Sequence, residues 1–413
     1  MIKNIIKHIL VVGFITAGYV QAQNADSVIT SAGTMDVYYD LQTGNQTSVD
    51  RSQWDIGLST SIRSSSIIIN ENAGIELFVY SNDINDWNTV DTAGFNFKNV
   101  YNSEESWENG AFSNLGTNYP DYGWGTYDMN KHDLNGSRLF IIKTQTGEFL
   151  KMVVDQMSTL GDFTFRTANL DGTNLTKHKH NKSEANGKNF LLTNLSNRDI
   201  AVGNPLSNDW NLLFTKYITE VRQGPTVRNM AVSGVKINAG CLIAERKGVD
   251  VSSNDTNNLD WNLADTNITE IGYDWKAFDR GSFKYNMVED LAYFVQLPNG
   301  QMWKIWFTNY VGGPEGKFVF NTQKLRSGAS ISRLISLNTS IYPNPARTYT
   351  KISNRESTPM LVDVIDMHGK VLFSEKLLAN TTTQLSTDSY ISGIYTIRFN
   401  SENGVDFKKL IIE

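Results

Sequence analysis

Short apolar runs bounded by Asn, Asp, Ser, Thr and Gly constrain the fold of this chain more than any other feature. Runs of this length that are rich in β-branched and aromatic residues predict strands. No long stretch combines a 3.6-residue periodicity with helix caps. We therefore predict an all-β fold, and the clearest runs lie at residues 66–69, 76–80, 139–142, 149–154 and 294–297.

A pattern of strand, glycine turn and strand occurs twice, at residues 135–154 and 290–307. The turn glycines Gly147 and Gly300 are 153 positions apart. Further pairs occur in the same order, namely Tyr127-Asp128 with Tyr273-Asp274 and Trp54-Asp55-Ile56 with Trp210-Asn211-Leu212. Self-similarity of this kind indicates repeated units. We predict two related antiparallel β modules at residues 23–203 and 204–327, followed by a linker at residues 328–339.

Residues 340–413 have a composition of their own, with short strands and frequent turns that predict a small β-sandwich. Four segments stand out in order, namely YPNPA at 342–346, DMHGK at 366–370, SGIYTIRF at 392–399 and KKLII at 408–412. These segments resemble the type A C-terminal sorting domain of the Bacteroidetes type IX secretion system. The resemblance implies an immunoglobulin-like tail that the secretion machinery reads and often removes. Its motif residues here are Tyr342, Pro343, Asn344, Pro345, Gly369, Gly393, Tyr395, Lys408 and Lys409.

The second predicted module contains longer motifs, namely WNLLFTKYITEV at 210–221, VSGVKINAGCLIAE at 232–245 and YFVQLPNGQMWKIWFTNYVGG at 293–313. These motifs resemble the HmuY family of Bacteroidetes haem-binding proteins. The first module resembles that family more faintly, through SQWDIGLSTSIR at 52–63. The resemblance implies haem capture for iron acquisition.

The first 22 residues have the pattern of a signal peptide. Lys3 and Lys7 precede an apolar run at residues 9–20, and Val20-Gln21-Ala22 provides small residues at the cleavage spacing. No second apolar stretch reaches the roughly 20 residues that a membrane span requires. We expect a mature chain without a transmembrane segment that is secreted or attached to the outer-membrane surface.

Charge and cysteine content exclude several classes of partner. The formal net charge is -6, and a nucleic-acid-binding protein normally has a basic excess. A single cysteine excludes a disulfide framework and a cysteine-rich metal centre. The chain also lacks the HExxH, GxSxG, Walker A and dinucleotide-binding motifs. We therefore predict no enzymatic activity and no nucleic-acid partner, and the metal content stays open.

Haem iron requires histidine or methionine ligands on opposite faces of the porphyrin, within an apolar slot. The histidine nearest to that requirement is His132, which follows Met129 in a loop rich in Gly, Tyr and Trp. His368 lies at a turn of the tail and is expected to be structural or solvated. The second module has no histidine, so a ligand there would be a methionine. The candidate haem-binding residues are His132, Met129, His178, His180, Met287 and Met302.

For His178 and His180, an exposed polar loop is the simpler interpretation, although as i, i+2 neighbours on a strand they would share one face. Aromatic clusters at Trp107 and at residues 119–127 favour a different ligand class, because such rings can stack on sugars. Two hypotheses follow. The first is haem capture, and the alternative is adhesion or glycan binding to a host or environmental surface on the same scaffold.

Overall fold

The computed structural model describes residues 24–62, 64–185, 187–196, 200, 203–251, 265–326, 337–366, 371–401 and 404–413. No helix among them reaches seven residues, which confirms the predicted all-β fold class. The predicted signal peptide lies outside the described residues, as do His368 and Gly369. The helical turns of the described residues are short 3-10 segments, at Ser31–Gly33, Arg51–Gln53, Glu71–Ala73, Ile84–Asn88 and Lys182–Ala185.

The described strands form three groups along the chain. The first group is β1 (Asn24–Ile29), β2 (Met35–Tyr39), β3 (Gln46–Asp50), β4 (Ile56–Ser59), β5 (Ile67–Ile69), β6 (Glu76–Ser81), β7 (Asn99–Val100), β8 (Gly125–Asp128), β9 (Asp133–Gly136), β10 (Leu139–Lys143), β11 (Phe149–Met157), β12 (Asp162–Asn169), β13 (Thr176–Asn181) and β14 (Phe190–Thr193). The second group is β15 (Leu212–Gln223), β16 (Thr226–Ile237), β17 (Leu242–Lys247), β18 (Lys276–Asp279), β19 (Lys284–Met287), β20 (Leu291–Gln296), β21 (Met302–Val311) and β22 (Lys317–Arg326). The third group is β23 (Thr339–Tyr342), β24 (Tyr349–Asn354), β25 (Met360–Ile365), β26 (Val371–Leu377), β27 (Thr382–Ser386), β28 (Gly393–Ser401) and β29 (Gly404–Ile412).

Strands β4 to β14 form the first sheet pair. Its larger sheet has the order β13-β12-β11-β10-β6-β7, with the β8–β9 hairpin attached to β11, and its smaller sheet has the order β14-β4-β5. Alternate residues of β12 point inwards, and Phe163 and Phe165 are each 1% exposed. They pack in one core with Ile56 and Leu191 from the smaller sheet. Burial of these apolar side chains holds the two sheets together.

The second sheet pair combines β15 to β22 with strands from the start of the chain. Its larger sheet has the order β1-β22-β21-β20-β17, and its smaller sheet has the order β16-β15-β2-β3. A two-stranded β18–β19 hairpin lies beside them. Val28 and Val37 from the start of the chain share a core with Phe214 and Phe318. Residues near the N-terminus and residues beyond 300 therefore depend on each other for burial.

The two sheet pairs share a strand order, with β1 and β2 in the places that β13 and β14 occupy in the first pair. A 3-10 turn joins the two strands in each case. The hydrogen bonds at this corner also match, since Lys182 N donates to Gly161 O at 3.1 Å and Thr30 N donates to Gly316 O at 3.2 Å. The start of the chain thus completes the sheets of residues 212–326. Tandem duplication and the module boundary near Gly203 stay predictions.

Both hairpins of the predicted repeat form. Gly147 joins β10 to β11 with a φ of +87°, and Gly300 joins β20 to β21 with a φ of +79°. The same hydrogen bond closes each turn, since Thr144 N donates to Glu148 O and Leu297 N donates to Gln301 O, both at 2.8 Å. Glycine is required at both turns because side chains disfavour a positive φ.

The tail is a two-sheet sandwich, as predicted. One sheet has the order β23-β24-β27 and the other has the order β26-β25-β28-β29. Ile352 from the first sheet and Val362, Ile397 and Leu410 from the second are fully buried in a single core. Among the described residues, the members of this core all lie from 337 onwards, so the tail has an apolar interior of its own.

Candidate functional site

The predicted ligands His132 and Met129 lie in the turn between β8 and β9. Both side chains are exposed, and Met129 has 68% of its surface free. The Nδ1 atom of His132 is 2.8 Å from the hydroxyl of Tyr127, so this histidine is held on the face of a tyrosine-rich loop. Its backbone has a φ of +60°, which is unusual for a residue other than glycine.

His178 and His180 lie on β13, and the interpretation as an exposed loop is wrong. Both are buried, at 5% and 8% exposure, and they share the inner face of the strand. The ring of His178 stacks on Phe165 at 4.4 Å and 7°, and that of His180 lies 6.1 Å from the same phenylalanine. His178 Nε2 is 3.1 Å from the hydroxyl of Thr167. The two imidazoles therefore lie side by side on one phenylalanine instead of facing each other across a slot.

The methionine candidates belong to the second sheet pair. Met302 begins β21 and is 5% exposed, whereas Met287 ends β19 and packs, partly buried, against the core. The six predicted haem-binding residues thus occupy four places, which are the β8–β9 turn, β13, the end of β19 and the start of β21. No group of three or more His, Cys, Asp or Glu that could hold a metal ion occurs in the described part of the chain.

Three tyrosines before and on β8 form an aromatic surface, which we call the tyrosine platform: the exposed Tyr119 and Tyr122 and the partly buried Tyr127. The ring of Tyr127 lies 5.9 Å from that of Tyr119 and 6.3 Å from that of Tyr122, at 48° and 44°. Tyr119 is 59% exposed and Tyr122 is 37% exposed. The rings of Tyr119 and Tyr122 are each inclined to that of Tyr127, so the platform is not flat.

Two anchors position the tyrosine platform. Arg138 donates two hydrogen bonds to Asp121, at 2.8 and 2.9 Å, and these bonds lower the pKa of the Asp121 carboxyl to about 2. On the other side, Trp124 is fully buried and its Nε1 donates to Ser65 O at 2.9 Å. Gly123 lies between the anchors with a φ of +87°. The loop is therefore fixed on both sides of Gly123 by bonds that do not involve the tyrosine rings.

A cavity of about 380 Å³ opens beside the tyrosine platform. Tyr119 and Tyr122 contribute to both, and the rest of the lining is mostly amide, hydroxyl and carboxylate groups. Such a mixture of ring faces and convergent polar groups is typical of sites for small polar ligands. The other lining residues are Ser64, Ser65, Glu108, Asn109, Ser113, Gly116, Thr117, Asn118 and Asp121.

Sequence pattern identifies the aromatic residues of this site but not the residues that support it. Arg138 and Gly123 went unnoticed, although glycines on both sides of Trp124 were a signal of a tightly packed turn. Trp107, which was predicted with the tyrosines, lies elsewhere, since its Nε1 donates to Ile237 O at 2.9 Å. It packs against Phe190 with ring centroids 5.8 Å apart.

The sorting motif of the tail is tied to the last strand. Asn344 Nδ2 donates to Lys409 O at 2.7 Å, and Ile411 N donates to Asn344 Oδ1 at 2.9 Å. Lys408 Nζ donates to Thr339 O at 2.6 Å, which joins the last strand to the first strand of the tail. Gly393 begins β28, Tyr395 is buried, and Tyr342 is 77% exposed next to Pro343 and Pro345.

The fold defines the class as an all-β protein whose body carries an aromatic surface and is followed by a separate sandwich tail. Residues 340–413 match the family described as the secretion system C-terminal sorting domain. The tail is a type IX sorting domain, which implies interaction with the secretion machinery and export to the outer membrane or the exterior. A comparison with curated proteins finds no match for the chain. Among the described residues, no helix has the length and apolar character to cross a membrane.

Proposed function

We propose that this exported protein is a glycan-binding protein whose sugar-stacking surface is the tyrosine platform. The observation that carries the proposal is the pair of exposed tyrosines, Tyr119 and Tyr122, which flank the partly buried ring of Tyr127 and line a polar cavity. The apolar faces of sugar rings pack on aromatic rings, and sugar hydroxyls require hydrogen-bonding groups close by. Both kinds of group line the same cavity, from the tyrosine loop and from the neighbouring segments at residues 64–65 and 108–109.

The inclination of the rings favours a glycan over a flat ligand. A porphyrin needs one planar apolar slot with a metal ligand on each face. The tyrosine rings meet at 44° and 48°, which suits successive sugar units that turn relative to one another. The polar groups of Asn109, Asn118 and Glu108 lie where hydroxyls of such a chain would need partners.

A glycan array with the full chain, followed by titration calorimetry of the best ligand, tests the proposal. Tyr119→Ala and Tyr122→Ala should each weaken binding by about three- to tenfold, because an aromatic contact contributes about 0.5–1.5 kcal/mol. Tyr349→Ala is the matched control, since Tyr349 is a similarly exposed tyrosine in the tail, at 40%. The proposal fails if no glycan binds, or if the platform variants bind as tightly as the control.

Haem capture stays a prediction, and the same preparation tests it. A haemin titration followed at the Soret band should show no saturable, sharpened band if the glycan hypothesis is the right one. If a saturable band occurs and is lost in His132→Ala, His178→Ala or His180→Ala, haem capture replaces glycan binding as the proposed function.

A further inference from the structure

A second cavity, of about 70 Å³, lies between the two smaller sheets. Its walls come from β5, β14 and the loop at residues 102–109 on one side and from β2, β15 and β16 on the other. Aromatic rings line much of it, and the ring of Trp210 packs at 5.0 Å on Tyr38 and at 6.3 Å on Trp107. The tyrosine platform contributes nothing to this cavity.

Most charged groups at this cavity have structural partners. Arg51 donates to Asn70 Oδ1 at 3.1 Å and to Lys216 O at 2.8 Å. Asp36 accepts a hydrogen bond from Thr215 at 2.5 Å. Glu71 accepts from the backbone N–H groups of Asn102 and Ile218, at 2.7 and 3.3 Å. These three charges are therefore engaged by the protein itself.

Two donors of the lining have no hydrogen-bond acceptor among the described residues. Lys236 is 6% exposed, and its Nζ lies 4.8 Å from the ring centre of Tyr217 and 5.5 Å from that of Trp107. Trp54 is 5% exposed, and its Nε1 is buried without an acceptor. A buried donor that loses water without gaining an acceptor destabilises the fold. Burial of an unpaired ammonium group costs more free energy than burial of an unpaired indole N–H.

The fold does not require a lysine at position 236. Ile237 pairs with Leu212 as Ile69 pairs with Ile56, so Lys236 holds the place of Ile68 in the first sheet pair. The asparagine that follows has one role in both, because Asn238 Nδ2 donates to Trp210 O at 2.9 Å and Asn70 Nδ2 donates to Trp54 O at 2.8 Å. An isoleucine thus satisfies the same local structure in the first sheet pair.

We propose that this cavity binds a small monocarboxylate, with its oxygens accepting hydrogen bonds from Lys236 Nζ and Trp54 Nε1. The apolar part of the ligand lies against the indole rings of Trp107 and Trp210. The lining carries the cations of Arg51, Lys216 and Lys236 and the carboxylates of Asp36 and Glu71. A volume of about 70 Å³ suits a small organic acid, and a carboxylate accepts strong, charge-assisted hydrogen bonds from an ammonium group.

Burial of the ammonium supports the same assignment. Desolvation lowers the pKa of Lys236, and the nearby carboxylates of Glu71 and Glu104 oppose that shift. A bound carboxylate would stabilise the charged form further, because an opposite charge at hydrogen-bond distance favours ionisation.

Titration calorimetry and ligand-detected NMR with the full chain test the proposal, with benzoate and acetate as probes. Benzyl alcohol serves as the uncharged analogue of benzoate, and inorganic phosphate serves as an anion that is not a carboxylate. Benzoate or acetate should bind saturably, and benzyl alcohol should not. If benzoate binds more tightly than acetate, the cavity prefers aromatic acids. If acetate binds more tightly, it prefers aliphatic acids. Lys236→Met should weaken carboxylate binding by tenfold or more, and Trp54→Phe should weaken carboxylate binding by a smaller factor.

Lys276→Met is the matched control, because Lys276 also lies over aromatic rings but donates to Ser233 O at 2.6 Å. It should leave carboxylate binding unchanged.

Lys236→Met should also raise the melting temperature, since it removes a buried charge. The proposal is overturned if neither carboxylate binds, or if phosphate binds as tightly as the carboxylates do. It is also overturned if Lys236→Met binds the carboxylate with normal affinity. If Lys236→Met unfolds, normal carboxylate binding by Trp54→Phe overturns it. Tyr119→Ala should bind benzoate normally, so failure of the glycan proposal leaves this one intact.

Discussion

Lys276 places its ammonium group inside a cage of aromatic rings. Its Nζ lies 4.1 Å from the ring centre of Trp275 and 4.6 Å from that of Tyr310, and it donates to Ser233 O and Tyr273 O. Loss of water lowers the pKa of this lysine to about 7, and Asp274 opposes the shift. At neutral pH the group therefore titrates in the folded protein, whereas it is fully charged in the unfolded chain.

Lys276→Met should change how stability depends on pH. Between pH 7 and the ordinary lysine pKa near 10.4, the unfolded chain binds more protons at this position than the folded protein. The wild type should therefore gain stability as the pH rises from 7 to 10, and Lys276→Met should gain less. Urea unfolding at pH 6.5 and pH 9.5 measures the difference. Parallel pH profiles for the two proteins would show that Lys276 stays charged in the fold.

At the scale of single elements, the loop that carries the tyrosine platform depends on Gly123. A Cβ atom at this position would lie 2.6 Å from the carbonyl oxygens of Phe112 and Ser113, which are backbone atoms that cannot move aside. Gly147 has the same φ of +87°, but a Cβ there would meet nothing within 4 Å. Substitution at Gly147 therefore tests backbone strain alone, whereas substitution at Gly123 tests backbone strain together with steric overlap.

Gly123→Ala should destabilise the protein by about 3 kcal/mol, whereas Gly147→Ala should cost about 1 kcal/mol, because only the first adds overlap to an unfavourable φ. Gly123→Ala should also weaken glycan binding, since Tyr122 is the neighbouring residue. Thermal unfolding and calorimetry with the best glycan measure the two effects. Equal destabilisation by both variants would contradict the steric argument.

Local pattern predicted the elements well wherever apolar residues marked the strands. The β10–β11 and β20–β21 hairpins and the tail sandwich follow from alternation and turn glycines. Strand β13 was missed because its inward residues are His178 and His180, which are polar in sequence and buried by stacking on Phe165. Lys236 was missed for a related reason, since in VSGVKIN it resembles a lysine on an outer strand face. Burial of a polar residue depends on a distant partner that sequence pattern does not reveal.

At the scale of the whole molecule, the start of the chain closes a sheet that ends beyond residue 310. Strand β1 pairs with β22 over six residues, from Asn24 with Thr322 to Ile29 with Lys317. The hydroxyl of Thr30 donates to Gly316 O across 286 positions. Contacts between such distant residues form late in folding, because loop closure costs conformational entropy before they contribute. The second sheet pair should therefore be completed only when both ends of this region are present.

Val28→Asp tests this closure without shortening the chain. Val28 is fully buried against Phe318 and its neighbours, so an aspartate there should destabilise the protein by about 4 kcal/mol. Hydrogen exchange should increase along β22, which loses its partner strand, and should stay low along β12, which keeps β13. Val227→Asp is the control, since Val227 is 44% exposed and the change should cost less than about 0.5 kcal/mol. Equal protection of β22 in both variants would mean that β1 is a dispensable edge strand and that residues 212–326 hold their sheets without it.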